Sequence, residues 1–354
     1  MSAVTSPVEG VDLAAVARWM DGAGIGSGPI ADIVAISGGT QNVMVRFTRD
    51  GAGYVLRRGP LRLRPASNKV ITRETRALRA MAGTDVPHPR LIAACEDPGV
   101  LGDAVFYLME PIDGFCAGQG LPELHANGAG VRHQMGLELA RAAATLAAVD
   151  HVAVGLADYG RPDSFLERQV PRWRSELASF DALDGYPGPA IGDVDGVAGW
   201  LDEYRPVTWT PGILHGDLHA SNVMFSRAGP EVVAVVDWEM STIGDPLLDL
   251  GWLLATWDLG DASRDFGGCL MEAGDIATHQ ELIAAYAETA KGGRADRDLS
   301  RIDWYIVLAC FKAGIILEGT HARACAGLAP VETGDRLHHA AVRLFERAQH
   351  IINA

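Results

Sequence analysis

The chain has 354 residues, 48% of them hydrophobic, and a formal net charge of −15 from 45 acidic and 30 basic residues. Its length and apolar content suffice for two or three domains, or for one two-lobed unit with a sizeable core. The acidic balance argues against nucleic acid or an anionic membrane surface as a partner, because both demand concentrated positive charge.

The five cysteines, at 95, 116, 269, 310 and 325, are scattered and form no C-x-x-C pair. They read as reduced thiols in a cytosolic protein rather than as disulfides or a zinc site. The start, MSAVTSPVEG, lacks a basic segment followed by an apolar one, so no signal peptide is visible. No uninterrupted apolar run of about 18 residues occurs, and no transmembrane helix is expected.

In chain order, residues 11–22 have helical spacing. Short β-branched segments follow at 31–37 (ADIVAIS), 42–48 (NVMVRFT) and 53–58 (GYVLRR), the last two joined by the hairpin turn RDGAG. Residues 68–82 return to helical period, with Ser67 or Asn68 as N-cap. Strands are predicted at 90–96 and 104–110, around the turn DPGVLGD. PIDGF, at 111–115, breaks the last strand and marks a boundary. Beyond it, helices are predicted at 131–149, 165–180, 279–290, 302–320 and 334–352. The loop ILHGDLHASNVMF (213–225) and a buried strand, EVVAVVDWE (231–239), lie among them.

Three segments carry the chemistry. In YVLRRGP, strand alternation puts Val55 and Arg57 on one face and Leu56 and Arg58 on the other. Alone, these arginines read as solvated charges on an edge strand, and Glu74 as a surface residue of the following helix. Together, Arg57 and Glu74 form a candidate internal ion pair that would hold a cation against a nucleotide's phosphates. In HGDLHASN, Asp217 precedes Asn222 by five positions, and Asp237 ends the apolar run downstream. Phosphoryl transfer needs a carboxylate to orient the attacking hydroxyl, and oxygen ligands for Mg²⁺. Asp217 fits the first role as base; Asn222 and Asp237 fit the second. A weaker signal is SGGTQN, where the backbone of Gly38, Gly39 and Thr40 would approach phosphates.

The same loop invites a rival reading, a metal-dependent hydrolase with His215, Asp217 and His219 as ligands. No second His/Asp cluster with convincing spacing completes such a site. A nucleotide-binding module without catalysis is the other alternative; the presence of Asp217, Asn222 and Asp237 together argues against it.

LHGDLHASNVMF followed by VVDWEMSTIGDPLLDLGWLL resembles the aminoglycoside phosphotransferase and choline kinase family, which is protein-kinase-like. The likeness runs from about residue 30 onward. YVLRRGP, RETRALRAM, VPHPRLIAACEDPGVLGDAVFYLME and GRPDSFLERQVPRW add a likeness to the branch also found fused to acyl-CoA dehydrogenases. The resemblance implies an α+β, two-lobed fold: a small antiparallel-sheet lobe with one main helix, residues 1–110, for the nucleotide, and a larger, mostly helical lobe, residues 111–354, for catalysis and substrate. It implies ATP and Mg²⁺, with Asp217 as catalytic residue, Asn222 and Asp237 on the metal, and Glu74 as the helix glutamate. It places Met109, Glu110, Pro111 and Ile112 at the hinge that meets adenine, makes Asp249 and, beneath the loop, His215 braces of the catalytic loop, and leaves His219 facing solvent or substrate. Arg57 stands where protein kinases have lysine, and its planar, permanently charged fork serves the same purpose. The implied acceptor is a small-molecule hydroxyl: a hydroxy acid or acyl compound, or an aminoglycoside antibiotic. Arg172 and Arg174 read first as surface charges.

Overall fold

Asp12 opens the first helix: its carboxylate accepts the N–H groups of Ala14 and Ala15 at 3.0 and 3.1 Å, and α1 runs Leu13–Gly22. The computed structural model describes residues 8–36 and 42–354. Gly38, Gly39 and Thr40 therefore lie outside the described residues. The chain divides into two compact units, Met1–Asp113 with Val236–Glu239, and Gly114–Val235 with Met240–Ala354.

In the first unit, strands β1 (Ala31–Ile36), β2 (Val43–Arg49) and β3 (Ala52–Arg58) form a meander. Helix α2 (Ser67–Met81) follows, then β4 (Leu91–Cys95) and β5 (Phe106–Met109). The sheet is antiparallel, in the order β1-β2-β3-β5-β4. This makes β3 the central strand and not an edge, so Arg57 and Arg58 are buried. Alternation sends Val45, Phe47, Leu56, Phe106 and Leu108 to one face, where they pack with Val16 and Met20 of α1. The opposite face carries Arg57 and Tyr107, which are register partners, beneath α2.

The N-cap expectation for α2 fails. Ala66 occupies the cap position without a side-chain bond, and Ser67 is already helical. Ser67 Oγ accepts the N–H of Arg64 at 2.9 Å, and Asn68 reaches Asp103 O and Val105 N at 2.8 and 3.2 Å. Both side chains are committed to fastening neighbouring loops.

The second unit contains α3 (Glu123–Asn127), α4 (Ala129–Ala147), α5 (Gln169–Ser179), α6 (Val194–Glu203) and the strand β6 (Gly212–Leu214). After it come β7 (Val223–Phe225), β8 (Val232–Val235), β9 (Thr242–Gly244), α7 (Leu247–Thr256), α8 (Arg264–Ala273), α9 (His279–Ala290), α10 (Ile302–Cys325) and α11 (Val331–Ile352). Helix α10 is the hub and touches α5, α6, α7 and α11. Its crossing with α7 is close because Gly251 has no side chain: a Cβ there would stand 2.6 Å from the Tyr305 backbone. Two small ladders, β6 with β9 and β7 with β8, hold the ends of the 215–222 loop. The ladder expected over 231–239 stops at Val235. Asp237 takes φ 66°, a left-handed conformation that aspartate tolerates, and Trp238–Met240 form a 3-10 turn.

Candidate active site

Arg57 and Glu74 meet in the first unit. The Arg57 fork donates to Glu74 at 3.0 Å from Nε and 2.7 Å from Nη2, a bidentate pair that is buried on both sides. Arg57 Nη2 also donates to Asp237 Oδ1 at 2.6 Å. Tyr107, which the sequence reading did not single out, donates its hydroxyl to Glu74 Oε2 at 3.3 Å. Burial pushes Glu74 up to about 7 and outweighs the opposing pull of Arg57. Burial would lower Arg57, yet Glu74, Tyr107 and Asp237 together hold it well above the usual guanidinium value. Glu239 is a second residue missed from sequence: carboxylate oxygens of Glu74, Asp237 and Glu239 lie within 4.8 Å of one another. The signal for it was the D-x-E spacing, which a turn brings to one side once Asp237 turns left-handed.

Met109 pairs with Val55 and Leu91 at the end of β5. The next residue, Glu110, donates its backbone N–H to Arg90 O at 3.0 Å, and its carboxylate pairs with Arg90. Pro111 and Ile112 follow within the same unit.

In the second unit, the 215–222 loop is organised from its backbone outwards. The N–H groups of His215 and Gly216 donate to Asp249 Oδ2 and Oδ1 at 2.7 and 2.8 Å, which ties the loop to the start of α7. Gly216 has φ 85°, and a Cβ would meet Met240 O at 2.6 Å, so the loop's glycine is obligatory. Asn222 curls back on Asp217: its Nδ2 donates to Asp217 O at 2.9 Å and to Oδ2 at 2.8 Å. With nitrogen turned to Asp217, Oδ1 is the atom of Asn222 left for a hard cation. His219 does not face solvent. It is buried, with Nδ1 2.7 Å from Phe266 O.

Lys312 is the third residue that went unassigned, although the chain has only three lysines and this one sits in an apolar helix. Its Nζ donates to Gly216 O at 2.8 Å and lies 4.4 Å from the centre of the Trp252 ring. Burial lowers it to about 8, against the opposing pull of Asp217 and Asp249. Burial alone would raise Asp217, but the charges of His219, His215 and Lys312 prevail and hold it below the usual carboxylate value. Asp249 is raised by burial, which outweighs the opposing pull of His215, Lys312 and the two backbone N–H groups it accepts. The loop thus presents an ionised carboxylate, a neighbouring amide oxygen and a fixed backbone. Arg172 and Arg174 are exposed; Arg172 lies over the Trp173 ring and Arg174 pairs with Asp195.

A small antiparallel sheet with one main helix, a mostly helical second unit and a loop of this build define a kinase-like phosphotransferase class. Residues 32–304 match the phosphotransferase enzyme family, and the chain belongs to it. Acyl-CoA dehydrogenase family member 11 of Gallus gallus is 30% identical over 309 residues, covering 84% of this chain but 37% of that protein. The chain thus spans little more than a third of this curated relative. A solved structure from Ralstonia eutropha, described as a candidate aminoglycoside phosphotransferase, superposes with a TM-score of 0.76 at 28% identity, covering 96% of this chain and 98% of that one. Aminoglycoside phosphotransferase APH(4)-Ia, solved as a ternary complex with AMP-PNP and hygromycin B, gives 0.59 at 15% identity over 95% and 98% of the two chains, a likeness of fold. Among the described residues, no helix is long and apolar enough to cross a membrane.

Proposed function

We propose that the protein transfers the γ-phosphoryl group of ATP to a hydroxyl of a small molecule, with Mg²⁺ as cofactor. The observation that carries this reading is the ionised Asp217 carboxylate bonded to Asn222 at 2.8 Å on a loop fixed by Asp249. The donor chemistry fits Mg²⁺, since Asn222 offers an amide oxygen and Asp237 sits in a cluster of carboxylates. Asn222 and Asp237 would hold the ion, which when bound neutralises charge on the phosphate oxygens. Asp217 orients the acceptor hydroxyl. As the new oxygen–phosphorus bond forms, the γ-phosphorus bond to the bridging oxygen breaks, ADP leaves, and the hydroxyl proton passes to Asp217. Its depressed pKa suits orientation first and proton acceptance late, as a loose transition state requires. Arg57, fixed by Glu74, meets phosphate oxygens, and the backbone of Gly38, Gly39 and Thr40 covers them. Backbone groups of Met109, Glu110, Pro111 and Ile112 meet the base.

In this reading residues 1–110 serve the nucleotide and residues 111–354 the acceptor, with Asp237 returning to the nucleotide side. The free cysteines fit a reducing cytoplasm. For the acceptor we favour a hydroxylated acid or acyl compound over an aminoglycoside, because the relative at 30% identity is named for acyl-CoA chemistry. The test is ADP release with Mg·ATP over hydroxy acids, their CoA esters, choline-like alcohols and aminoglycosides. Turnover with a hydroxy acid or its CoA ester is expected. Turnover with aminoglycosides alone would overturn the acceptor, and no acceptor-dependent turnover at all would overturn the reaction.

A further inference from the structure

Away from the catalytic loop, α10 and α11 each carry a carboxylate three residues before a histidine: Glu318 and His321 on one, Asp335 and His338 on the other. Such spacing puts both side chains of a pair on one helix face. Five residues connect the two packed helices, so they run antiparallel and the pairs come together. His338 Nδ1 lies 2.7 Å from Glu318 Oε2, and His321 Nδ1 lies 3.6 Å from Asp335 Oδ1. The two imidazole rings are 4.5 Å apart. One donor atom each from Glu318, His321 and His338 can be chosen so that all three lie within 4.8 Å of one another.

The two histidines together with the buried carboxylate point to a metal ion. Glu318 is fully buried, and Tyr186 donates its hydroxyl to Glu318 Oε1 at 2.7 Å, which leaves Oε2 turned to His338. That is how an outer hydrogen bond orients a ligating carboxylate. His321 Nδ1 is buried without a hydrogen bond, since 3.6 Å to Asp335 is too long for one. Two imidazoles, which are borderline-soft donors, beside one carboxylate suit Zn²⁺ and its neighbours rather than Mg²⁺ or Ca²⁺.

We propose that Glu318, His321 and His338 form a binding site for a divalent transition-metal ion of the Zn²⁺ type, with a fourth position open to water or to Asp335. The ion ties the C-terminal part of α10 to α11 and, through Tyr186, to the segment between α5 and α6. Lys312 lies six residues earlier on α10, about 9 Å along the helix axis. The site therefore braces the helix that supports the catalytic loop, and it stands independently of the phosphotransferase reading.

The test uses the full chain, stripped with a chelator and then titrated with Zn²⁺ against a chromophoric competitor and with Co²⁺ by visible absorption. One equivalent is expected, with intense d–d bands from low-symmetry Co²⁺ and a Zn²⁺-dependent rise in melting temperature. His321→Ala and His338→Gln, at partly exposed positions, are each expected to weaken binding at least about 100-fold while keeping the apo circular dichroism spectrum. Asp237→Asn should leave the Zn²⁺ affinity unchanged. No stoichiometric binding by the wild-type chain, binding retained in both histidine variants, or binding lost in Asp237→Asn would each overturn the proposal.

Discussion

Lys312 shows how one buried charge shapes the candidate site. It sits under Gly216 and helps keep Asp217 ionised, at the cost of its own desolvation. Burial depresses it to about 8 from an ordinary 10.5. Between those values the unfolded chain holds the extra proton, so this residue's contribution to stability rises as pH climbs through the window. Lys312→Met should remove that dependence. Relative to the variant, the wild-type protein is expected to gain on the order of 3 kcal/mol between the two pH values. Urea unfolding of both proteins at pH 8 and pH 10.5 measures it; parallel pH profiles would show that Lys312 stays charged throughout. At this scale the sequence pointed to the Arg57–Glu74 pair, which the structure forms, and it suggested roles for Asp217, Asn222 and Asp237 from residue type and spacing. Lys312, Tyr107 and Glu239 were not legible. Their meaning comes from packing, and a lysine in an apolar helix looks the same whether it snorkels or is buried.

At the scale of elements, local pattern located the sheet and the long helices but not their ends. Helix α10 runs on to Cys325 beyond the expected 320, and α11 starts at Val331 rather than 334. The predicted helix over 165–180 begins only at Gln169. Helices α3, α6, α7 and α8 escaped notice. Residues 247–256 are buried throughout α7, so no polar face marks its period. One close approach among these elements is Gly251 of α7 against the Tyr305 backbone of α10. Gly251→Ala is expected to destabilise by about 1–3 kcal/mol through overpacking, despite alanine's better helix propensity. Denaturant unfolding measures it, and a gain in stability would mean that α7 and α10 separate easily.

For the whole molecule, the chain order of the chemistry says more than its bulk composition. Net charge left the substrate open, and the degenerate glycine segment at 37–42 was a weak guide. The order Arg57, Glu74, Asp217, Asn222, Asp237 pointed to phosphoryl transfer, and membership of the phosphotransferase enzyme family agrees with that class. In the proposed reaction everything turns on Asp217 serving the transfer. The direct measurement is acceptor-dependent ADP release by wild type and Asp217→Asn, with saturating Mg·ATP and the acceptor giving the largest signal. A fall in kcat of about 10²–10⁴-fold is expected, with nucleotide affinity and melting temperature little changed. An Asp217→Asn variant that turns over at the wild-type rate would contradict it.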